Sequence, residues 1–220
     1  ETSDETLLDT RLSRTENYVG IDPTHRRDTT NAWVTIIRGC DKFCSFCIVP
    51  FVRGRERSVD STEVLRQVRH LAEEGFREVT LLGQTVNSYG DASGIRFPEL
   101  LRSVSAVDGI ERVRFTSPYP VDLDNEVISA MAEIPEVCPS LHLPVQSASP
   151  RQLESMRRGY TIKEYRQLVD RLRRAIPSLA LTTDIIVGFC GETQEDFELT
   201  RALMEEIRYD SAFMFRYSER

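Results

Sequence analysis

The sequence predicts an α/β fold, an open six-stranded parallel sheet forming part of a TIM barrel, written (βα)6. Three observations predict it. Apolar, β-rich runs recur at 33–38, 77–83, 111–116, 137–145, 179–187 and 210–217. Segments with helical spacing separate them, and strands alternating with helices imply βα units on a parallel sheet. The count stops at six, where a full barrel has eight. In such sheets the functional residues gather at the carboxyl ends of the strands.

Taken in order, residues 1–32 are polar, lack sustained periodicity and read as a linker entering from a preceding N-terminal domain. Residues 33–220 then form one domain. After the first strand, Val64, Leu65, Val68, Leu71 and Ala72 fall on one stripe of a helix over 61–74. Asp60 stands as its N-cap with Glu63 three residues on, and Gly75 ends it. Pro98 suits a first helical position before Leu100, Leu101 and Val104. Leu123, Val127, Ile128 and Met131 make the next stripe. Tyr165, Leu168, Val169 and Leu172 make another, stopped by Pro177. Thr193 caps a last helix carrying Phe197, Leu203, Met204 and Ile207.

Bulk properties narrow the function classes. A chain of 220 residues, 40% hydrophobic and 29% charged, can bury one substantial core and is not a disordered segment. It has neither a run of about eighteen apolar residues nor a signal-peptide pattern, so no membrane span is expected. Five cysteines, three of them clustered, fit a reducing compartment and a metal site better than a disulfide framework, and the cytoplasm is the expected location. A net charge of −7 argues against a nucleic-acid surface over the whole chain. Basic charge is nonetheless concentrated in Arg38, Lys42, Arg53, Arg55 and Arg57, with Arg157-Arg158 elsewhere.

The chemistry centres on Gly39-Cys40-Asp41-Lys42-Phe43-Cys44-Ser45-Phe46-Cys47, directly behind the first strand. Thiolates favour zinc or iron–sulfur clusters. A closed zinc site needs four ligands and a simple ferredoxin cluster needs four cysteines. Three cysteines point to a 4Fe–4S cluster with one iron left open for a small molecule. The other reading is a zinc knuckle completed by a distant ligand such as His70 or His142.

The CxxxCxxC spacing with Phe46 before the last cysteine resembles the radical S-adenosylmethionine enzymes. The flanking text resembles their tRNA methylthiotransferase branch in Cys47-Ile48-Val49-Pro50-Phe51, Arg53-Gly54-Arg55-Glu56-Arg57-Ser58, Leu82-Gly83-Gln84-Thr85-Val86-Asn87-Ser88-Tyr89, His142-Leu143-Pro144-Val145-Gln146-Ser147, Met156-Arg157-Arg158-Gly159-Tyr160-Thr161 and Asp184-Ile185-Ile186-Val187-Gly188-Phe189. The resemblance covers nearly the whole chain. Four positions depart from the pattern: Val59 for a basic residue, Thr85 for Asn, Ala148 for Gly and Cys190 for Pro. Cys190 reads as a small hydrophobe in a loop and Cys138 as packed within the fourth strand.

The resemblance implies a (βα)6 radical SAM core and two cofactors, a 4Fe–4S cluster on Cys40, Cys44 and Cys47 and S-adenosylmethionine on its open iron. It implies reductive cleavage of that cofactor to a 5′-deoxyadenosyl radical, hydrogen abstraction at adenine C2, sulfur insertion and methyl transfer. Within the branch, Cys47 to Ser58 favours enzymes acting on isopentenyl-adenosine beside the tRNA anticodon. Threonylcarbamoyl-adenosine tRNA and a ribosomal-protein aspartate are the alternative substrates, and a non-enzymatic metal-bearing RNA-binding module is the alternative class. The implied partners are tRNA and an electron donor of flavodoxin or ferredoxin type. The family's auxiliary 4Fe–4S cluster and its RNA-binding domain are expected outside these residues. This chain is therefore expected to cleave S-adenosylmethionine without completing methylthiolation.

By the same resemblance Gln84, Asn87, Gln146 and Arg157 surround the cofactor, and Gly188 admits the adenine to the backbone. Ser117 and Asp184 are further polar groups at strand ends. Asp184 serves either the site or a structural pair with Arg157 or Arg158. Phe46 packs either on the adenine or into the core. Arg53, Arg55 and Arg57 contact RNA phosphates, order the cysteine loop by ion pairing, or form a solvated run.

Overall fold

A computed structural model describes residues 30–218, so nearly all of the linker expected over residues 1–32 lies outside the described residues. The first half contains β1 (Asn31–Thr35), β2 (Ile37–Arg38), α1 (Val49–Arg53), β3 (Arg57–Ser58), α2 (Ser61–Glu73), β4 (Glu78–Leu82), α3 (Phe97–Ser105) and β5 (Arg112–Phe115). The second contains α4 (Asn125–Glu133), β6 (Ser140–His142), α5 (Pro150–Ser155), α6 (Ile162–Ala175), β7 (Ala180–Val187), α7 (Gln194–Ile207) and β8 (Ser211–Arg216).

The strands do not ladder into the one continuous six-stranded sheet expected. They form two parallel sheets, ordered β1-β4-β5 and β6-β7-β8, and a small antiparallel pair of β2 with β3. The two parallel sheets meet at a single bridge, Val113 to Val137. There the Val113 N–H donates to the Glu136 carbonyl (2.7 Å) and the Cys138 N–H to the Val113 carbonyl (3.0 Å). Pro139 follows at once and has no N–H to extend the ladder. The fourth strand is thus cut to Ser140–His142, and Cys138 sits half-buried before it rather than within it.

The β2–β3 pair was not foreseen, because the run 33–38 reads as one strand. The chain stays on β4 through the Ile36 N–H to Leu82 carbonyl bond (2.9 Å), while the Ile36 carbonyl accepts from Val59 (2.8 Å). That second bond turns the chain toward β3, at the base of the cysteine loop. β1 is an edge strand, so only Ala32 and Val34 point into the core and Trp33 is 57% exposed.

Helices pack their apolar stripes on the sheets. α2 buries Val64, Val68 and Leu71, and Asp60 caps it through the Thr62 N–H (2.9 Å). Glu63 does not close a capping box; it pairs with Arg66 (2.7 Å). α6 buries Tyr165, Leu168, Val169 and Leu172 behind a Thr161–Glu164 capping box. Each such side chain contributes roughly 1.5–3 kcal/mol by leaving water. α5, absent from the sequence-based expectation, is a short helix capped by Ser149. Among the described residues no helix is long and apolar enough to cross a membrane.

Asp91 ties the loop before α3 to α2. Its carboxylate accepts from the Ser61 N–H (3.0 Å), the Ser93 N–H (2.9 Å) and hydroxyl (2.6 Å), and the Ile95 N–H (3.0 Å). Burial alone would raise its pKa, but these donors outweigh burial and hold the carboxyl well below the usual range. A depressed carboxylate pKa stabilises the fold above the unfolded value, about 3.9, and that contribution is lost as pH falls below it. Asp91→Ala is expected to cost about 1–3 kcal/mol at pH 7, read as a lower thermal midpoint. The gap to wild type should narrow steadily below about pH 4. A gap unchanged down to pH 3 would count against this role.

Candidate functional site

The cysteine loop leaves the carboxyl end of β2 and is strapped to its neighbours at every turn. Gly39 has φ +79°, and a Cβ there would lie 2.1 Å from the Arg55 carbonyl oxygen, so no side chain fits. The Gly39 N–H donates to Gln84 Oε1 (2.7 Å) and the Cys40 N–H to the Gly54 carbonyl (3.2 Å). Arg55 donates twice to Asp41 (2.6 and 2.9 Å), which also accepts from the Glu56 N–H (3.1 Å). The Arg55 guanidinium lowers the pKa of the Asp41 carboxyl. Glu56 answers by accepting from the Asp41 N–H (3.2 Å) and the Thr85 hydroxyl (2.8 Å).

Of the three basic residues singled out, then, Arg55 orders the loop by ion pairing. Arg57 lies against the carbonyls of Arg53 and Arg55 (3.4 Å each), and Arg53 is exposed at the end of α1.

Cys40 and Cys44 are buried, Cys47 is half-buried, and all three are free thiols. Burial pushes the Cys40 thiol above its ordinary pKa. Ser45 pins the loop to the end of α5, donating from its N–H to the Met156 carbonyl (3.1 Å) and from its hydroxyl to the Ser155 carbonyl (2.7 Å). From the same place comes Arg158, only 5% exposed. Its guanidinium donates to Cys44 Sγ (3.3 Å), the Pro144 carbonyl (2.9 Å) and the Tyr160 hydroxyl (3.2 Å). It also lies 4.7 Å from the Tyr119 ring centre and 5.4 Å from that of Tyr160. The Tyr119 hydroxyl donates to the Arg158 carbonyl. No carboxylate among the described residues pairs with this guanidinium.

The zinc reading loses its fourth ligand. His70 lies on an exposed face of α2 beside Glu74 (3.4 Å), and His142 is held by Thr182 (2.8 Å) and Asp184 (3.2 Å). Among the described residues no three His, Cys, Asp or Glu side chains converge to hold a single metal ion. In a cubane cluster each thiolate takes a different iron, which needs no such convergence.

The other candidate residues divide into supports and open groups. Gln84 is committed to Gly39. Asn87 is buried and clamps Tyr119, donating to its carbonyl and accepting from its N–H (2.8 Å each). Ser117, Gln146 and Arg157 share an unforeseen feature, left-handed backbone at φ +56°, +68° and +55°. Non-glycine residues hold that conformation at a cost of about 1–3 kcal/mol each, and such positions gather at functional sites.

Asp184 pairs with neither Arg157 nor Arg158. The β6–β7 register sets His142 opposite Thr182, and Asp184, two residues on and on the same face, reaches His142 instead. Arg157 is exposed, and Arg158 points to Cys44. Gly188 is exposed at φ +76° with nothing within 4 Å of a built Cβ, so the backbone conformation requires glycine and crowding does not. Phe46 packs with Met156, Ile186, Phe189 and Tyr217, edge-on to Phe189 at 6.4 Å. Cys190 is exposed.

Reading the residues alone missed Arg158, Tyr119 and Tyr160 as the wall behind Cys44. The doublet Arg157-Arg158 was the available signal, but nothing local tells which arginine turns inward. It also missed the exposed apolar group on the cysteine loop and α1, where Phe43 is 39%, Ile48 55% and Phe51 61% exposed.

The loop geometry is testable through its first glycine. Gly39→Ala is expected to destabilise the protein by more than about 1 kcal/mol, since both φ and the Arg55 carbonyl oppose a methyl group. Gly90→Ala, at ordinary φ with open space around it, should change the thermal midpoint little. Equal midpoints for the two variants would contradict the assigned loop conformation.

Residues 34–204 match the family model of the Radical SAM superfamily. The chain is 50% identical over 210 residues to the tRNA-2-methylthio-N(6)-dimethylallyladenosine synthase of Sulfurihydrogenibium, covering 95% of this chain and 48% of that protein. It is 51% identical over 218 residues to the synthase of the same name from Carboxydothermus hydrogenoformans, covering 98% and 49%. The chain thus spans about half the length of the curated relatives it matches. Among solved structures, the radical S-adenosylmethionine methyltransferase TsrM of Kitasatospora setae superposes with a TM-score of 0.68 at 19% identity, over 84% of this chain and 36% of that one. Coproporphyrinogen III oxidase of Escherichia coli superposes with a TM-score of 0.59 at 18% identity, over 86% and 44%. Those two likenesses show a shared α/β partial-barrel fold. With more than half its length matched by the family model, the chain belongs to the Radical SAM superfamily.

Proposed function

We propose that residues 33–220 are the radical SAM domain of a tRNA methylthiotransferase acting on N6-isopentenyladenosine next to the anticodon. In this reading Cys40, Cys44 and Cys47 hold a 4Fe–4S cluster whose open iron takes S-adenosylmethionine. The observation that carries it is the donor set: three free thiols on one strapped loop at the strand ends, with both candidate histidines engaged elsewhere. The buried cation beside Cys44 also suits an anionic occupant. When bound, the two cofactors supply a 5′-deoxyadenosyl radical, and the activity for which the relatives are named supports the tRNA base as its target.

The chain's own residues orient and exclude. The straps from Gln84, Thr85 and Glu56 hold the loop, and Phe46, next to Cys47 in the chain, anchors it on Met156, Ile186 and Phe189. Ser117, Gln146 and Arg157, held at positive φ, and the open backbone of Gly188 are the groups for S-adenosylmethionine. Asp184 acts there through its pair with His142, and Asn87 acts indirectly by setting Tyr119. Exposed Phe43 and Phe51, edge to face at 6.1 Å with the Arg55 guanidinium 6.0 Å from the Phe43 ring centre, offer bases a stacking surface next to a positive charge, which supports RNA at this mouth. The two three-stranded sheets act as one open six-stranded wall, and a flavodoxin- or ferredoxin-type donor in the cytoplasm supplies the electron.

The test is anaerobic reconstitution of the chain, with electron paramagnetic resonance spectra recorded with and without S-adenosylmethionine. The expected result is a cluster signal perturbed by the cofactor, 5′-deoxyadenosine on reduction, and no methylthio transfer to tRNA by these residues alone. Cys44→Ala should abolish 5′-deoxyadenosine and cut the iron content sharply. Unchanged iron in Cys44→Ala, or a colourless zinc protein, would sink the assignment.

A further inference from the structure

We propose that Arg158 is a positioning residue acting through Cys44: its charge and its hydrogen bond to the ligating sulfur make the bound cluster easier to reduce. This rests on the cluster assignment above. Removing a guanidinium from water costs several kcal/mol, and a buried one is ordinarily matched by a carboxylate. Arg158, at 5% exposure, has none among the described residues. The Pro144 carbonyl, the Tyr160 hydroxyl and two tyrosine faces are all neutral. Cys44 Sγ, at 3.3 Å, is the one partner that becomes an anion, and it does so on ligating iron.

The backbone is built to make this contact. Arg157, at φ +55°, reverses the chain after α5, with its N–H on the Glu154 carbonyl (2.9 Å) and the Arg158 N–H on the Leu153 carbonyl (3.0 Å). Lys42, the other cation on the loop, is taken by Asp122 at 2.6 Å. Hydrogen bonds to cluster sulfurs and local charge both move reduction potentials. A cation stabilises the state carrying one more electron, so losing it shifts the midpoint to more negative potential.

The full chain is reconstituted anaerobically as wild type, Arg158→Gln and Arg158→Lys. Iron and sulfide are quantified, and the reduced cluster is followed by electron paramagnetic resonance through a reductive titration. At the potential that half-reduces wild type, Arg158→Gln should show a reduced-to-oxidised ratio about tenfold lower, a shift of about 59 mV for one electron. Arg158→Lys, which keeps the charge without the fork, should fall between the two. If Arg158→Gln fails to hold iron, Arg158→Lys decides, and its midpoint must lie below that of wild type. Full iron occupancy with wild-type midpoints in the variants overturns the Arg158 role and leaves the ligand assignment standing. Wild type that takes up no cluster overturns both.

Discussion

One buried cation constrains much of this molecule. Arg158 is almost wholly removed from water, and four separate stretches of chain converge to make that tolerable. The cysteine loop brings Cys44, the end of β6 brings the Pro144 carbonyl, and the turn after α5 brings Tyr160. The fourth stretch, after β5, brings the Tyr119 ring, which Asn87 fixes from the end of β4. Buried polar networks of this kind bear their desolvation cost only when every member is satisfied. Their arrangement therefore ties the two parallel sheets together at the same end as the thiols, although the sheets share only one strand bridge.

A second constraint runs through the loop itself. Its backbone is held by side chains, Gln84 on Gly39, and Asp41 and Glu56 on each other's N–H groups, as well as by the carbonyls of Gly54 and Met156, because no strand ladder reaches it. Polar residues at the strand ends thereby do two kinds of work. Gln84, Thr85 and Asn87 are spent on fixing the loop and Tyr119. Ser117, Gln146 and Arg157 instead carry left-handed backbone that their side chains disfavour, and that strain persists because neighbouring elements fix the turns. A preformed mouth suits chemistry that depends on holding a reactive group dry and in place.

Local features of the sequence were enough for the elements and the thiols. The stripe Val64, Val68, Leu71 and the caps at Asp60 and Thr193 appear where spacing and chemistry put them, since each depends on neighbours two to four residues away. The three cysteines lie on one loop for the same reason. By contrast, the fourth strand was overread. The run 137–145 is mostly apolar, but Pro139 interrupts it and only three of its residues lie in a ladder.

Which side chain meets which was decided by the tertiary structure. Arg157 and Arg158 are chemically identical neighbours, and only the turn at φ +55° sends one to solvent and the other to Cys44. Asp184 was open to several partners until the parallel register of β6 on β7 gave it His142. The sequence by itself determined the thiol triad, the alternating elements and the caps, because those rest on short-range spacing. Pairing across the fold was left to register and burial, because the cost of desolvating a charge depends on what distant parts of the chain bring to it.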